Sequence, residues 1–492
     1  MILHWRFGSP LGAVAMAAVV VAVLAKGRRP MPGRPPTRRR VGAGAGPVTG
    51  ARWATARQLR VLRTDARPAG RLVLGRLDGT RRVTLAAEQR QSVAVLGPTQ
   101  SGKTTALAIP AILGWDGPVV ASSVKTDLAA ATWAWREEVG RVWCVDPTGA
   151  TGLPPTAWSP LRGAASWAGA RRVAADLTEV ARGPGTTPDG EFWYATAAKL
   201  LAPLLFAAAH GGRSMADVVR WVDTQEVAEV AALLDSAGVP AAIDAVRATW
   251  LRDDRARSGV YTTAETALEP FAEPPDGPAP SPGPGGFDPE ALLAGSHTLY
   301  LCAPAHDQRR LAAVFTSVVK EVLDAAFTTS SRRRAPLAPP LLVVLDEAAN
   351  ISPLAELDGL AATCAGHGVA LLTVWQDMAQ IAARYGRRAG TVLNNHRAKV
   401  FLSGTSDPST LEHASRLVGD EEPLQASTTH DAAGGLSTTR APARRPLLAP
   451  ERLRQLRPGA GLLVYGHLPP ARLVLRPWWE DEVLARRGTP AP

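Results

Sequence analysis

Apolar and polar positions along the chain fall into three successive rhythms. In two separate stretches, short apolar runs alternate with helical spacing. Ser92–Leu96, Pro118–Ser122 and Arg141–Val145 form the first set, and Thr298–Cys302, Leu341–Leu345, Val369–Val374 and Lys399–Leu402 the second. Strands alternating with helices are the βαβ rhythm, so the fold class is α/β with a mostly parallel central sheet. Short runs such as Arg71–Gly75 lead into that sheet from about Gln58, and Gly461–Tyr465 with Arg472–Leu475 close it. Between the two sets, residues 160–270 are Ala-rich, with helical spacing over Ala164–Ala181, Tyr194–Ala209 and Val227–Leu234. That stretch predicts an inserted all-α domain. Residues 424–446 carry no such pattern and read as loosely ordered.

The third rhythm is at the start. Leu11–Ala25 is apolar apart from Gly12, and Gly8, Ser9 and Pro10 extend it to 18 residues. That is near the lower limit for crossing about 30 Å of hydrocarbon. Lys26, Arg28, Arg29, Arg34, Arg38, Arg39 and Arg40 follow, whereas only Arg6 precedes. The positive-inside rule predicts a single-pass anchor with its N-terminus outside the cell membrane and the rest of the chain cytoplasmic. A cleaved signal peptide is the competing reading, but its charge belongs before the apolar run. The expected organisation is a membrane segment (1–26), a basic Pro/Gly-rich linker (27–57) and the first part of a nucleotide-binding domain (58–157). The inserted helices (158–272), a Pro/Gly-rich loop (273–289), the second part of the nucleotide-binding domain (290–480) and a tail (481–492) complete it.

Composition is globular, with 46% hydrophobic and 20% charged residues, so a sizeable core is expected. The net charge of +11 is concentrated. Residues 26–90 hold 17 basic and 3 acidic residues, a net of +14, and Arg6 adds one, which leaves −4 for residues 91–492. The basic pI therefore does not by itself mark the main body as a nucleic-acid binder. Cys144, Cys302 and Cys364 are far apart and form no CxxC, which argues against a disulfide framework or a zinc site.

Gly97, Pro98, Thr99, Gln100, Ser101, Gly102, Lys103 and Thr104 fit the pattern GxxxxGK[ST], with Thr105 continuing into the next helix. The segment follows an apolar strand and opens a helix, the context that a phosphate loop requires. Its glycines let successive backbone N–H groups curl around an anion, and the helix N-terminus adds partial positive charge. The ligand called for is ATP with Mg2+: Lys103 reaching the β- and γ-phosphates, and Thr104 on the metal. Leu341–Leu345 then ends in Asp346 and Glu347. Asp346 is expected in the Mg2+ sphere and Glu347 beside the attacking water. Gln376 ends the strand expected to neighbour the acid-bearing one, where it can reach the γ-phosphate.

Together, Gly97–Thr105, Asp346–Ile351 and Trp375–Gly386 resemble the type IV secretion coupling proteins, the TraG/TraD-like ATPases of conjugative DNA transfer. Ser123–Leu128 (expected on the second strand), Val145–Pro147, Trp158–Leu161, Phe192-Trp193, Asn394, Asn395, Phe401 and Asp407 extend the resemblance over about residues 85–480. It implies a RecA-like P-loop NTPase with an inserted all-α domain, a membrane part and a homo-hexamer around a channel. It also implies partners: a relaxase-bound, single-stranded DNA cargo or an effector protein, and the components of a type IV secretion channel. In that family Gln376 would be a sensor residue. Two departures stand out. One membrane helix is found where two are usual. Cys364–Gly368 also holds no Arg where many relatives supply one to a neighbour's ATP, leaving Arg384, Arg387 or Arg388 as substitutes. Arg332–Arg334, Arg444-Arg445, and Trp221 and Trp250 with Arg252, Arg255 and Arg257 are candidate cargo or DNA contacts, against ordinary surface charge and core aromatics. An FtsK-like duplex DNA pump, an ATP-binding cargo receptor with little hydrolysis, and a protein-only secretion ATPase remain as alternatives.

Overall fold

A computed structural model describes residues 50–489, apart from 65–67, 81–82, 124–125, 150, 184–185, 273–285, 305, 351 and 431–435. The expected membrane helix, most of the linker, most of the 273–289 loop, Lys125 and Ile351 lie outside the described residues.

Sixteen strands occur among the described residues: β1 (Arg63–Thr64), β2 (Val73–Leu77), β3 (Thr84–Ala86), β4 (Val93–Leu96), β5 (Val119–Ser123), β6 (Val142–Val145), β7 (Thr298–Cys302), β8 (Leu341–Leu345), β9 (Val369–Trp375), β10 (Ala398–Leu402), β11 (Asp420–Glu421), β12 (Leu424–His430), β13 (Leu436–Pro442), β14 (Arg445–Pro446), β15 (Ala460–Tyr465) and β16 (Ala471–Val474). Twelve of them make one sheet in the order β1-β3-β2-β16-β15-β10-β4-β9-β8-β5-β7-β6. From β10 to β6 every pairing is parallel. β4, β8 and β9 are buried along their whole length because helices cover both faces, so they read as nearly continuous apolar runs.

From β15 outward the sheet is antiparallel. The runs before β4, expected as strands leading into the sheet, form β1–β3 at its far edge, where β2 pairs with β16, the last strand among the described residues. Within the stretch expected to be loosely ordered, Leu424–His430 and Leu436–Pro442 pair as β12 and β13 in a continuous antiparallel register. Their Thr residues favour extended backbone, and the sequence carries no apolar alternation to signal it. β5 stops at Ser123, so Asp127 is not on the strand: it opens the next helix.

Helix α1 (Thr104–Gly114) and α2 (Asp127–Val139) pack on one face of the sheet. Among the described residues, six helices between β6 and β7 form the inserted bundle: α3 (Trp167–Arg182), α4 (Pro188–His210), α5 (Met215–Asp223), α6 (Ala228–Ala237), α7 (Pro240–Trp250) and α8 (Asp254–Leu268). Local capping sets their starts. Ser166 Oγ accepts from Gly169 N, and Ser214 and Asp217 cap each other reciprocally at the start of α5. α4 is the one described helix long and apolar enough to cross a membrane, yet it is mostly buried as the centre of this bundle.

The second half contributes α9 (Pro289–Leu293), α10 (Gln308–Arg333), α11 (Leu357–His367), α12 (Met378–Tyr385), α13 (Ala389–Asn395) and α14 (Pro408–Val418). The bundle has its own hydrophobic core, which Ala313 of α10 joins. Beyond that core, polar contacts tie it to α10. Lys320 Nζ donates to Asp176 Oδ1 at 2.6 Å and Glu179 Oε2 at 3.1 Å. Trp158 Nε1 donates to Glu321 Oε2 at 2.7 Å, and Arg162 pairs with Glu321 and Asp288.

Candidate nucleotide site

The site forms where β4, β9, β8 and β5 end side by side. Leu96 of β4 is in register with Trp375 of β9, and Leu345 of β8 with Thr373. Because the strands are parallel, the segments leaving them emerge from one edge of the sheet.

Gly97 follows β4, and its amide donates to Trp375 O at 3.2 Å. A Cβ there would lie 2.8 Å from both Leu402 Cβ and Ser101 Oγ, so a larger residue would push the loop off the sheet. Gln100 and Gly102 take positive φ values of 63° and 88°, turning the chain back on itself. Ser101 Oγ donates to Pro98 O at 2.7 Å. Lys103 is buried, and its Nζ donates to Gly97 O and Pro98 O at 2.5 and 2.6 Å. α1 begins with a wide turn over Thr104–Ala108, an i→i+5 pattern frequent at functional sites.

Asp346 continues β8 by donating its amide to Ser122 O at 3.0 Å. Its Oδ2 accepts from Thr104 Oγ1 at 3.0 Å, a contact spanning 242 residues of sequence. Burial is the main cause that pushes this carboxyl up to about 6, and the negative charges of Glu347 and Asp127 add to it. The Thr104 hydroxyl and the Lys103 ammonium oppose the rise. A buried carboxylate beside a hydroxyl is a hard oxygen pair of the kind Mg2+ takes. The residues present therefore fit the metal that the phosphate loop calls for.

Glu347 is half-buried, with φ of 59°. A left-handed conformation at a residue with a Cβ stores strain, a mark of functional loops. Asn350 Nδ2 lies 3.4 Å from Glu347 Oε2 as donor, and Ala348 N donates to Val374 O at 3.1 Å. Gln376 leaves β9 between the phosphate loop and the acid pair, half-buried, its amide donating to Gln380 Oε1 at 3.0 Å. Thus Lys103, Thr104, Asp346, Glu347 and Gln376 all lie on adjacent segments at one sheet edge. Asp127 joins their electrostatics. The motif Ser123–Leu128 pointed to its neighbourhood, but no spacing rule assigned it a role.

Other sequence candidates fall elsewhere. Arg384 Nη2 donates to Pro353 O at 2.9 Å and Arg388 Nη1 to Asp358 Oδ1 at 3.2 Å, while Arg387 is exposed. Arg444 and Arg445 pair with Asp420 and Glu421 at 2.7 and 2.8 Å, and Arg332 lies 3.5 Å from Glu290. Trp221 is buried and donates to Glu229, Trp250 donates to Tyr261, and Arg257 pairs with Asp254. Phe401 is core, Asp407 caps α14, and Asn395 Nδ2 donates to Asp358 O. All three cysteines are buried free thiols.

Residues 58–490 match the model of a protein family described as type IV secretory system conjugative DNA transfer. The conjugal transfer protein TraG of Escherichia coli is 25% identical over 398 residues, which is 73% of this chain and 61% of that protein. The chain thus spans about three fifths of the length of the curated relatives it matches. Among solved structures, the bacterial conjugative coupling protein TrwBdeltaN70, in its unbound monoclinic form, superposes with a TM-score of 0.66 at 18% identity, covering 88% of this chain and 95% of that one. The plasmid coupling protein TrwB in complex with ADP and Mg2+ gives 0.64 at 18% identity, covering 87% and 94%. At these identities the likeness shows the fold, that of a RecA-like P-loop NTPase with a mostly parallel central sheet.

Proposed function

Because the chain belongs to the type IV secretory system family of conjugative DNA transfer proteins, we propose that it is a membrane-anchored coupling ATPase. In this reading, ATP binding and hydrolysis drive recognition of a relaxase-bound single DNA strand and its delivery to a secretion channel by a ring of six copies. The observation that carries the ATPase part is the 3.0 Å contact of Thr104 with Asp346 beside the buried Lys103. Support for the cargo comes from the family match and from the names of the relatives.

Each residue then has a task. Lys103 exchanges the carbonyls of Gly97 and Pro98 for β- and γ-phosphate oxygens. Thr104 and Asp346 would hold Mg2+, which supplies charge neutralisation to the transferring phosphoryl group. Backbone amides of Gly97–Thr105 cradle the phosphates. Glu347 orients the attacking water and draws its proton. Gln376 stands between the phosphate loop and the acid pair, where the presence of the γ-phosphate can be passed to α12. The span within residues 8–25 anchors the chain, with the site on the cytoplasmic side.

A second reading has a specific observation behind it. Arg384 and Arg388 are engaged within their own chain, Arg388 from an exposed position, while Arg387 is exposed. A missing trans arginine slows phosphoryl transfer by orders of magnitude, which favours an ATP-assembled cargo receptor. ATP hydrolysis by the purified chain, with and without single- and double-stranded DNA and with Lys103→Ala as blank, separates the readings. Stimulation by single strands is expected. Stimulation by duplex alone would point to a duplex pump, binding without turnover to the receptor, and full turnover in Lys103→Ala would overturn the site.

A further inference from the structure

One buried polar chain behind the site has no part in the chemistry assigned so far. Thr373 of β9, His396 just before β10, and Trp375 are all buried. Thr373 Oγ1 lies 3.0 Å from His396 Nε2 and 3.0 Å from Trp375 Nε1, and His396 Nδ1 lies 2.7 Å from Val392 O.

Proton accounting and burial together set the direction of the bonds. The Val392 carbonyl can only accept, so Nδ1 of His396 carries a hydrogen. The indole N–H of Trp375 can only donate, so Thr373 Oγ1 receives it on one of its two lone pairs. Complete burial disfavours the imidazolium, pushing His396 down to about 4. With Nδ1 carrying the one ring hydrogen, Nε2 of the neutral ring accepts the Thr373 hydroxyl hydrogen. The sheet leaves room for the reach: Ala94 of β4 is in register with both Thr373 and Lys399, so only a methyl group separates β9 from β10 in that row. Lys399 Nζ closes the far end by donating to His396 O at 2.7 Å.

What the chain holds is the end of β9. Trp375 O accepts from the first phosphate-loop amide, and Val374 O accepts from Ala348, the residue after Glu347. The Trp375 ring meets Tyr385 edge-on at 6.0 Å, and Tyr385 Oη donates to Leu354 O at 3.0 Å in the segment beyond the acid pair. Trp375 is thus fixed to both catalytic loops and, through Thr373 and His396, to β10 and α13.

We propose that Trp375, Thr373 and His396 form a hydrogen-bonded strut that positions Gln376 and both catalytic loops, with Thr373 and His396 as positioning residues. The proposal rests on the ATPase reading above. In the full-length protein, Thr373→Val keeps shape and backbone pairing but removes the hydroxyl. It is expected to lower kcat at least tenfold, with KM for ATP within about twofold. Thr373→Ser, which restores the hydroxyl, should return kcat to within about threefold of the parent. A folded Thr373→Val protein with unchanged kcat, or equal loss in both variants, would overturn the strut. Should Thr373→Val fail to fold, the nitrogen chemical shifts of His396, assigned by their absence in His396→Asn, decide the matter at pH 7. A neutral ring protonated at Nδ1 supports the strut, and an Nε2-protonated ring or an imidazolium refutes it. Lys103→Ala serves as the separate control: retained turnover there would sink the ATPase reading, whereas its loss together with a silent Thr373→Val would sink the strut alone.

Discussion

Asp346 pays for its position in the metal-free protein, and the cost is open to measurement. Its carboxyl is 6% exposed and is raised from an ordinary 3.8 to about 6, with burial as the first cause. A shift of that size corresponds to about 3 kcal/mol of preference for the protonated form. The folded state binds this proton more tightly than the unfolded chain. The contribution to stability is therefore complete below about pH 4 and is lost as pH rises through about 6. At pH 8 the ionised group sits in a site that disfavours its charge. Asp346→Asn has the same size, keeps an acceptor for Thr104 Oγ1, and removes the charge. In metal-free buffer at pH 8 the variant should be more stable than the parent by up to about 3 kcal/mol, and that gap should shrink steadily toward pH 4. Adding Mg2+ with ADP should reverse the order, because the parent gains a cation and the variant does not. Denaturant midpoints at pH 5 and pH 8, with EDTA or with Mg2+ and nucleotide, read all of this. A variant no more stable than the parent at pH 8, or a gap indifferent to pH, would refute the reasoning.

Two further perturbations test other levels of the argument. Arg136 of α2 is buried and donates to Thr298 Oγ1, Trp115 O, Gly117 O, Ser296 O and His297 O at 2.6–3.3 Å, clamping the entries to β5 and β7. Arg136→Met should cost about 3–5 kcal/mol through orphaned acceptors, seen as a lower denaturant midpoint; a loss under about 1 kcal/mol would mean water replaces the clamp. Gly97→Ala places a methyl 2.8 Å from Leu402 Cβ and Ser101 Oγ. It should cost about 1–3 kcal/mol of stability and weaken nucleotide binding in a fluorescent-nucleotide titration, and parental affinity would show that the loop yields freely.

The part of the site built from short-range grammar could be read in the chain itself. An apolar strand, a glycine-rich loop and a lysine form one continuous segment, and so do β8, Asp346 and Glu347. The neighbourhood of β8 and β9 followed from βαβ rhythm. What escaped reading depends on residues distant in sequence. The pairing of β2 with β16 joins the two ends of the described chain, and no local pattern encodes it. Glu347's left-handed backbone is imposed by its surroundings, since glutamate carries no such preference. Arg444 and Arg445 read as a candidate patch or ordinary surface charge; they are exposed, and their ion-pair partners, Asp420 and Glu421 of β11, come from a short pairing with β14 that no local pattern announces. His396 showed nothing in sequence, since a lone histidine acquires its meaning from whatever faces its two nitrogens.

The helical insertion has a core that Ala313 of α10 joins, and Lys320, Arg162, Asp176, Glu179 and Glu321 add polar contacts at the same junction. Such a junction works like an electrical fitting with a standard set of pins. A different bundle would fit the same α10 face if it presented carboxylates opposite Lys320, a cation opposite Glu321 and a small apolar pocket for Ala313.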